Sequence, residues 1–154
     1  MPGGNLLDQV QRIEDLYHQY EADIIGCDRG VGVVQAQLLQ THLGFDKVIM
    51  CNYVAAKTKL RWDSQGNFMA SDRTMCMDGA MQKMRRGRSL FETPSWALTE
   101  PLWEDALSIY EEESIHTNRR LYRHEEDEPD DWFHSVTFGL IAQQYLTGEY
   151  VYIE

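Results

Sequence analysis

Two places in the sequence carry side chains suited to chemistry. The first is Asp28, which follows the apolar run Ile24-Ile25-Gly26-Cys27 and precedes Arg29-Gly30-Val31-Gly32. An acid at the carboxyl end of a buried strand reaches the sheet edge where α/β proteins build their sites. The same position also suits an aspartate that closes a turn or caps the next helix. The second is Pro129-Asp130-Asp131-Trp132-Phe133-His134. Proline at a first helical position puts both acids in the first turn, where the helix dipole favours them, with His134 one turn along. Two carboxylates and an imidazole can hold a hard divalent cation beside a proton carrier. An acidic turn that serves the dipole alone is the plainer alternative. Taken together, the two stations suit phosphodiester cleavage by paired metal ions. Such ions sit about 3.5–4 Å apart and need carboxylates from different elements. Gly30 and Gly32 complete neither a GxGxxG nor a GxxxxGK phosphate loop.

The elements that must position these residues are legible as patterns. Leu6, Leu7, Val10, Ile13, Leu16, Tyr17 and Tyr20 recur at helical spacing behind Asn5, a good cap. The run 24–27 reads as a buried strand. Val33, Val34, Leu38, Leu39 and Leu43 outline a second helix that stops at Gly44, and 47–53 is a second strand. Helix–strand–helix–strand at this spacing predicts an α/β fold with a parallel pair. Leu60-Arg61-Trp62 and Phe68-Met69-Ala70 flank a turn-rich stretch and predict a hairpin. Ser71 is expected to cap a helix with Met77, Ala80, Met81 and Met84 inside and Gly87 at its end. Leu90-Phe91 reads as a brief strand, Thr99-Glu100-Pro101 as the opening of another helix, and Tyr122 as part of a weaker hairpin. The last helix is expected from Pro129, with Phe133, Val136, Leu140, Ile141 and Tyr145 on one face.

At 154 residues and 43% apolar composition, the chain suits a single domain over 1–154 with a packed core. No apolar run approaches the roughly 18–20 residues that span a bilayer, and the start Met1-Pro2-Gly3-Gly4 is unlike a secretory signal, so no membrane is expected. Cys27, Cys51 and Cys76 lack CxxC spacing and read as reduced core residues of a cytosolic protein. The net charge of −11 opposes non-specific coating of nucleic acid, but it hides a segregation. Between Lys57 and Arg88 there are eight basic residues against three acidic ones; between Glu92 and Asp131 there are thirteen acidic against three basic. Lys83, Arg85, Arg86 and Arg88 at a helix end, with Lys57, Lys59 and Arg61 on the hairpin, are candidates for tracking DNA phosphates. Cations favoured by a helix C-terminus are the plainer reading of the first group.

These stretches, in this order, resemble the carboxy-terminal nuclease domain of the large terminase subunits of tailed bacteriophages. The resemblance rests on 24–32, Leu43-Gly44-Phe45-Asp46-Lys47-Val48, Ser71-Asp72-Arg73-Thr74, Arg85-Arg86-Gly87-Arg88-Ser89-Leu90-Phe91 and 129–135, spread over roughly residues 6 to 146. It implies a ribonuclease H-like three-layer α/β fold. It also implies two-metal-ion cleavage of concatemeric, double-stranded viral DNA with Mg2+ or Mn2+, while an upstream ATPase domain drives packaging in the host cytoplasm. By the resemblance Asp28 matches the family's second metal-binding acid. Asp131, with Asp130 beside it, matches the third, and His134 falls where the family often has a histidine. The family's first acid lies on a strand that precedes the helix at 6–20, and no counterpart is found here. The expectation is therefore a C-terminal portion of the domain that lacks its first strands, leaves the 24–27 strand with an open edge and cuts poorly alone. An upstream terminase chain or domain would complete it, with the portal or the small terminase subunit as further partners. The alternatives are another ribonuclease H-like nuclease, such as a junction resolvase, or a non-catalytic module that docks on a packaging motor.

Overall fold

The computed structural model describes residues 5–30, 32–55, 58–86, 96–113, 120–124 and 131–153. The Leu7 amide donates to Asn5 Oδ1 (3.3 Å) and opens α1, Leu6–Gln19, as expected of an asparagine cap. β1 follows at Ile25–Asp28, one residue later than the apolar run suggests, so Asp28 is the strand's last residue. α2, Val33–Leu43, ends on Gly44, and β2 is Val48–Tyr53. β3, Leu60–Asp63, and β4, Phe68–Ser71, form the expected antiparallel hairpin. Then come α3, Arg73–Arg85; α4, Trp96–Ser108; β5, Tyr110–Glu113; β6, Arg120–Arg123; α5, Asp131–Leu146; and β7, Val151–Ile153.

The chain divides into two compact units, Met1–Asp72 with Phe138–Glu154, and Arg73–Thr137. The first is a mixed α/β unit whose sheet runs β1-β2-β4-β3-β7. The β1/β2, β2/β4 and β3/β7 pairs are parallel, with Ile25 opposite Val48 and Asp28 opposite Cys51. Side chains alternate across the sheet. Ile25, Cys27 and Val48 face Val10 and Leu39 of α1 and α2. Gly26 faces the other way, against Phe138 and Ala142 in the second half of α5. Fully buried Ile49 and Met69 on the central strands contribute about 1.5–3 kcal/mol each by leaving water. Buried Gln40 is satisfied because its Nε2 donates to the Val48 carbonyl (2.9 Å), tying α2 to the start of β2.

The second unit contains α3, α4, the β5/β6 hairpin and the first half of α5. Thr74 Oγ1 donates to the Arg120 carbonyl (3.1 Å) and the Tyr122 hydroxyl donates to Asp78, which fasten the hairpin to α3. Glu111 pairs with Arg120 (3.3 Å) and Glu112 with Arg123 across the hairpin.

Two expectations are corrected, and one strand was not foreseen. Ser71 is the last residue of β4, paired opposite Leu60, and its hydroxyl donates to the Met69 carbonyl, so it does not cap α3. α4 begins at Trp96 and carries Pro101 in its interior; proline at a first-turn position is only a preference, and the apolar residues before it extend the helix. β7 was not expected at all. Leu90-Phe91, Gly87 and Pro129 lie outside the described residues.

Candidate functional site

Asp28 ends β1 at the carboxyl edge of the parallel strands. The Arg29 amide continues the ladder by donating to the Cys51 carbonyl (2.8 Å), which fixes the backbone on which Asp28 sits. The side chain is exposed, and among the described residues it forms no hydrogen bond or ion pair. Its neighbour Arg29 does not neutralise it. The guanidinium lies 4.0 Å from the centre of the Phe68 ring, a cation–π contact that draws the cation onto β4. Cys27, next in the strand, is pushed up to about 11 by burial and then by the charge of Asp28, so it stays a thiol at neutral pH. The metal-binding capacity at this strand end therefore rests with the carboxylate.

Asp131 is the first residue of α5 and is exposed; its carbonyl accepts from Ser135 Oγ (2.8 Å). His134, half-buried one turn along, has Nε2 3.5 Å from an Arg73 guanidinium nitrogen. Because arginine only donates, His134 accepts at Nε2 in the tautomer that carries its proton on Nδ1. Asp131 and His134 are thus neighbours on α5, with Arg73 of α3 beside the histidine. Asp28 belongs to the first compact unit, and Asp131, His134 and Arg73 belong to the second. Asp130 lies outside the described residues.

Sequence reasoning missed Asp105. This α4 carboxylate is only 5% exposed, and its two oxygens accept from the amides of Trp132 and Phe133 (both 3.1 Å). It is a cap supplied from another helix. It satisfies amides at the start of α5 and sets the pose of the turn that presents Asp131 and His134. The Trp103 and Trp132 rings meet edge-on at 5.5 Å alongside it. No local signal marks such a residue, since its partners lie 27 and 28 positions away.

The basic residues divide. Lys83, Arg85 and Arg86 lie exposed at the end of α3. Lys59 Nζ donates to Gln144 Oε1 (2.9 Å) and is partly committed to packing, while Arg61 sits half-buried within β3 opposite Ala70 and Val151. Lys57 and Arg88 lie outside the described residues.

Among the described residues, no three His, Cys, Asp or Glu side chains gather as a metal cluster. The chemistry of the two donors nonetheless fits magnesium or manganese. Asp28 and Asp131 are hard oxygen donors, neither with a side-chain hydrogen bond or ion pair among the described residues, and a strongly hydrated ion needs only one or two protein carboxylates. Compared with protein-family models, curated proteins and solved structures, the chain matches none.

Proposed function

We propose that this chain is the ribonuclease H-like nuclease portion of a phage large terminase, a Mg2+- or Mn2+-dependent endonuclease acting on concatemeric double-stranded DNA. The observation that carries the reading is Asp28, a carboxylate at the carboxyl end of β1 that is unpaired among the described residues, with its adjacent arginine drawn away. Support also comes from the sheet order, in which β1 is a terminal strand among the described residues. The register directs the Gly26 and Asp28 backbone groups outward from β2. A further strand, bearing its own acid and supplied by an upstream terminase segment, adds at that edge.

In this reading Asp28 on the first unit and Asp131 on the second are each a carboxylate donor for a divalent cation, Asp130 supports them as the resemblance implies, and a bound metal would supply Lewis-acid activation of water at the phosphate. His134, beside Arg73, is the candidate proton carrier of this reading, and Arg73 is a donor that could face the phosphate. Lys83, Arg85 and Arg86 hold the DNA backbone electrostatically. The test measures plasmid cleavage with Mn2+ by this chain alone and by the chain with an upstream terminase segment. Little cutting alone, strong cutting together, and loss of that gain in Asp28→Asn and Asp131→Asn are expected. Equal activity of the Asp28→Asn complex would refute the reading.

A further inference from the structure

Register sorts the side chains of a sheet into rows, one face at a time. On the face of the first unit's sheet that meets α1 and α2, the rows hold Ile25 and Cys27 of β1, Val48 and Met50 of β2, and Phe68 of β4. One row nearer the carboxyl end of β1, the same face changes character. Arg29 extends the β1 ladder beside Asn52, because its amide donates to the Cys51 carbonyl (2.8 Å). Asn52 lies opposite Ala70, and Ala70 lies opposite Arg61 of β3. The row is thus Arg29, Asn52, Ala70 and Arg61, in which every side chain but the small one donates hydrogen bonds.

The three donors are half-buried, and among the described residues none of their side chains forms a hydrogen bond or ion pair. The Arg29 guanidinium crosses β2 to stand 4.0 Å from the centre of the Phe68 ring. Phe68 sits diagonally across from Arg61, so one guanidinium stands over β4 and the other side chain rises from β3 beside it. Acids outnumber basic residues 25 to 14 in this chain, yet among the described residues no carboxylate pairs with either arginine. By alternation Asp28 falls on the opposite face. Asp63, two residues along β3 on this face, has Oδ1 accepting from the Gly66 amide (2.7 Å). Two cations and an amide that share a row, with their donors unused, match an anion with several acceptor oxygens. A guanidinium fork takes phosphate oxygens two at a time, and the asparagine NH2 adds a neutral donor.

We propose that Arg29, Asn52 and Arg61 form a binding site for a phosphate group, supplied by the backbone of a nucleic acid or by a free phosphate. The site lies wholly within the first unit and uses none of the proposed metal donors, so it stands or falls apart from the nuclease reading. The plainer use of the two arginines is to lay their stems over apolar surface with their heads in water, which leaves them indifferent to the anion.

The test uses the full chain without metal, as wild type, Arg29→Lys, Asn52→Ala and Arg61→Gln, with exposed Arg12 of α1 as an internal control. Arginine Nε–H NMR signals, assigned through the variants, are followed at constant ionic strength as inorganic phosphate replaces chloride, and again with a short duplex DNA. The Arg29 and Arg61 signals are expected to shift together along one saturating curve while Arg12 stays still. Arg61→Gln should weaken phosphate binding about tenfold or more, because it removes a charged donor pair. Arg29→Lys keeps the charge but gives up the fork, and should weaken binding with the circular dichroism unchanged. Saturation by phosphate without a response to duplex assigns the site to a free phosphate. A response to duplex, with the salt slope of DNA binding flattened by about 0.9 in Arg61→Gln, assigns it to a nucleic-acid backbone. Arg29 and Arg61 signals that move no more than that of Arg12 with either probe overturn the proposal.

Discussion

At the scale of single residues, the charge of Asp28 and the burial of its neighbours divide the chemistry between them. Cys27 has its thiol raised to about 11, so at pH 8 only about one molecule in a thousand carries the thiolate, against roughly a quarter for a free cysteine. Alkylation of the native chain by iodoacetamide, read by mass spectrometry, should spare Cys27 at that pH, and unfolding should abolish the protection. Tyr122 shows the same logic in the second unit. Burial, then its hydrogen bond to Asp78 and the charge there, push the phenol up to about 12 from an ordinary 10. The folded state prefers the protonated phenol. The stability the pair contributes is therefore complete below about pH 10 and is lost as pH rises from 10 towards 12. The tyrosinate absorbance of wild type minus that of Tyr122→Phe should titrate near 12, and a difference titrating near 10 would count against the Asp78 contact.

At the scale of elements, two close fits decide where the helices stand. A Cβ on Gly26 would lie 2.3 Å from the Phe138 carbonyl oxygen and 3.1 Å from Ala142 Cβ. The obstructing atom belongs to backbone, so Gly26→Ala must push α5 off β1, an overpacking cost of about 1–3 kcal/mol or more. Asp105→Ala leaves the half-buried Trp132 amide and the buried Phe133 amide without their acceptors and costs about 1–3 kcal/mol. At about 2–4 °C per kcal/mol for a chain of this size, thermal melting should show losses of several degrees in both variants. Asp105→Asn, which keeps one acceptor, should recover part of the loss. These fits also mark where the sequence stops being legible. The first two helices, the β1/β2 parallel pair and the hairpin are written in local periodicity, caps and turns, and all were expected. Gly26 and Asp105 act on partners far along the chain, and periodicity says nothing about them. β7 was invisible for the related reason that Val151–Ile153 is short and takes its strand character from pairing with β3. That Asp28 ends a strand and Asp131 starts a helix was legible because strand ends and helix starts have local signatures; what surrounds each of them was not.

At the scale of the whole molecule, a net charge of −11 sets the terms on which DNA could be held. Long-range repulsion opposes approach of a polyanion, so the proposed DNA binding would depend on the few places where cations stand exposed, together with any divalent ions the carboxylates recruit. Arg85 and Arg86 are such a place: both are exposed at the last turn of α3. Their position at a helix C-terminus also has a purely intramolecular use, and affinity at one salt concentration cannot separate the two roles, because removing any positive charge weakens attraction to DNA. The salt dependence can. If each arginine neutralises a phosphate, each releases condensed counterion on binding, and the slope of log affinity against log salt carries about 0.9 per contact. Arg85→Gln with Arg86→Gln should therefore flatten the slope by roughly 1.8, measured by fluorescence anisotropy on a duplex in Mg2+-free buffer. An unchanged slope with uniformly weaker binding would assign the pair to the helix dipole and the general field, and the phosphate-holding surface would have to be sought elsewhere in the basic stretch between Lys57 and Arg88.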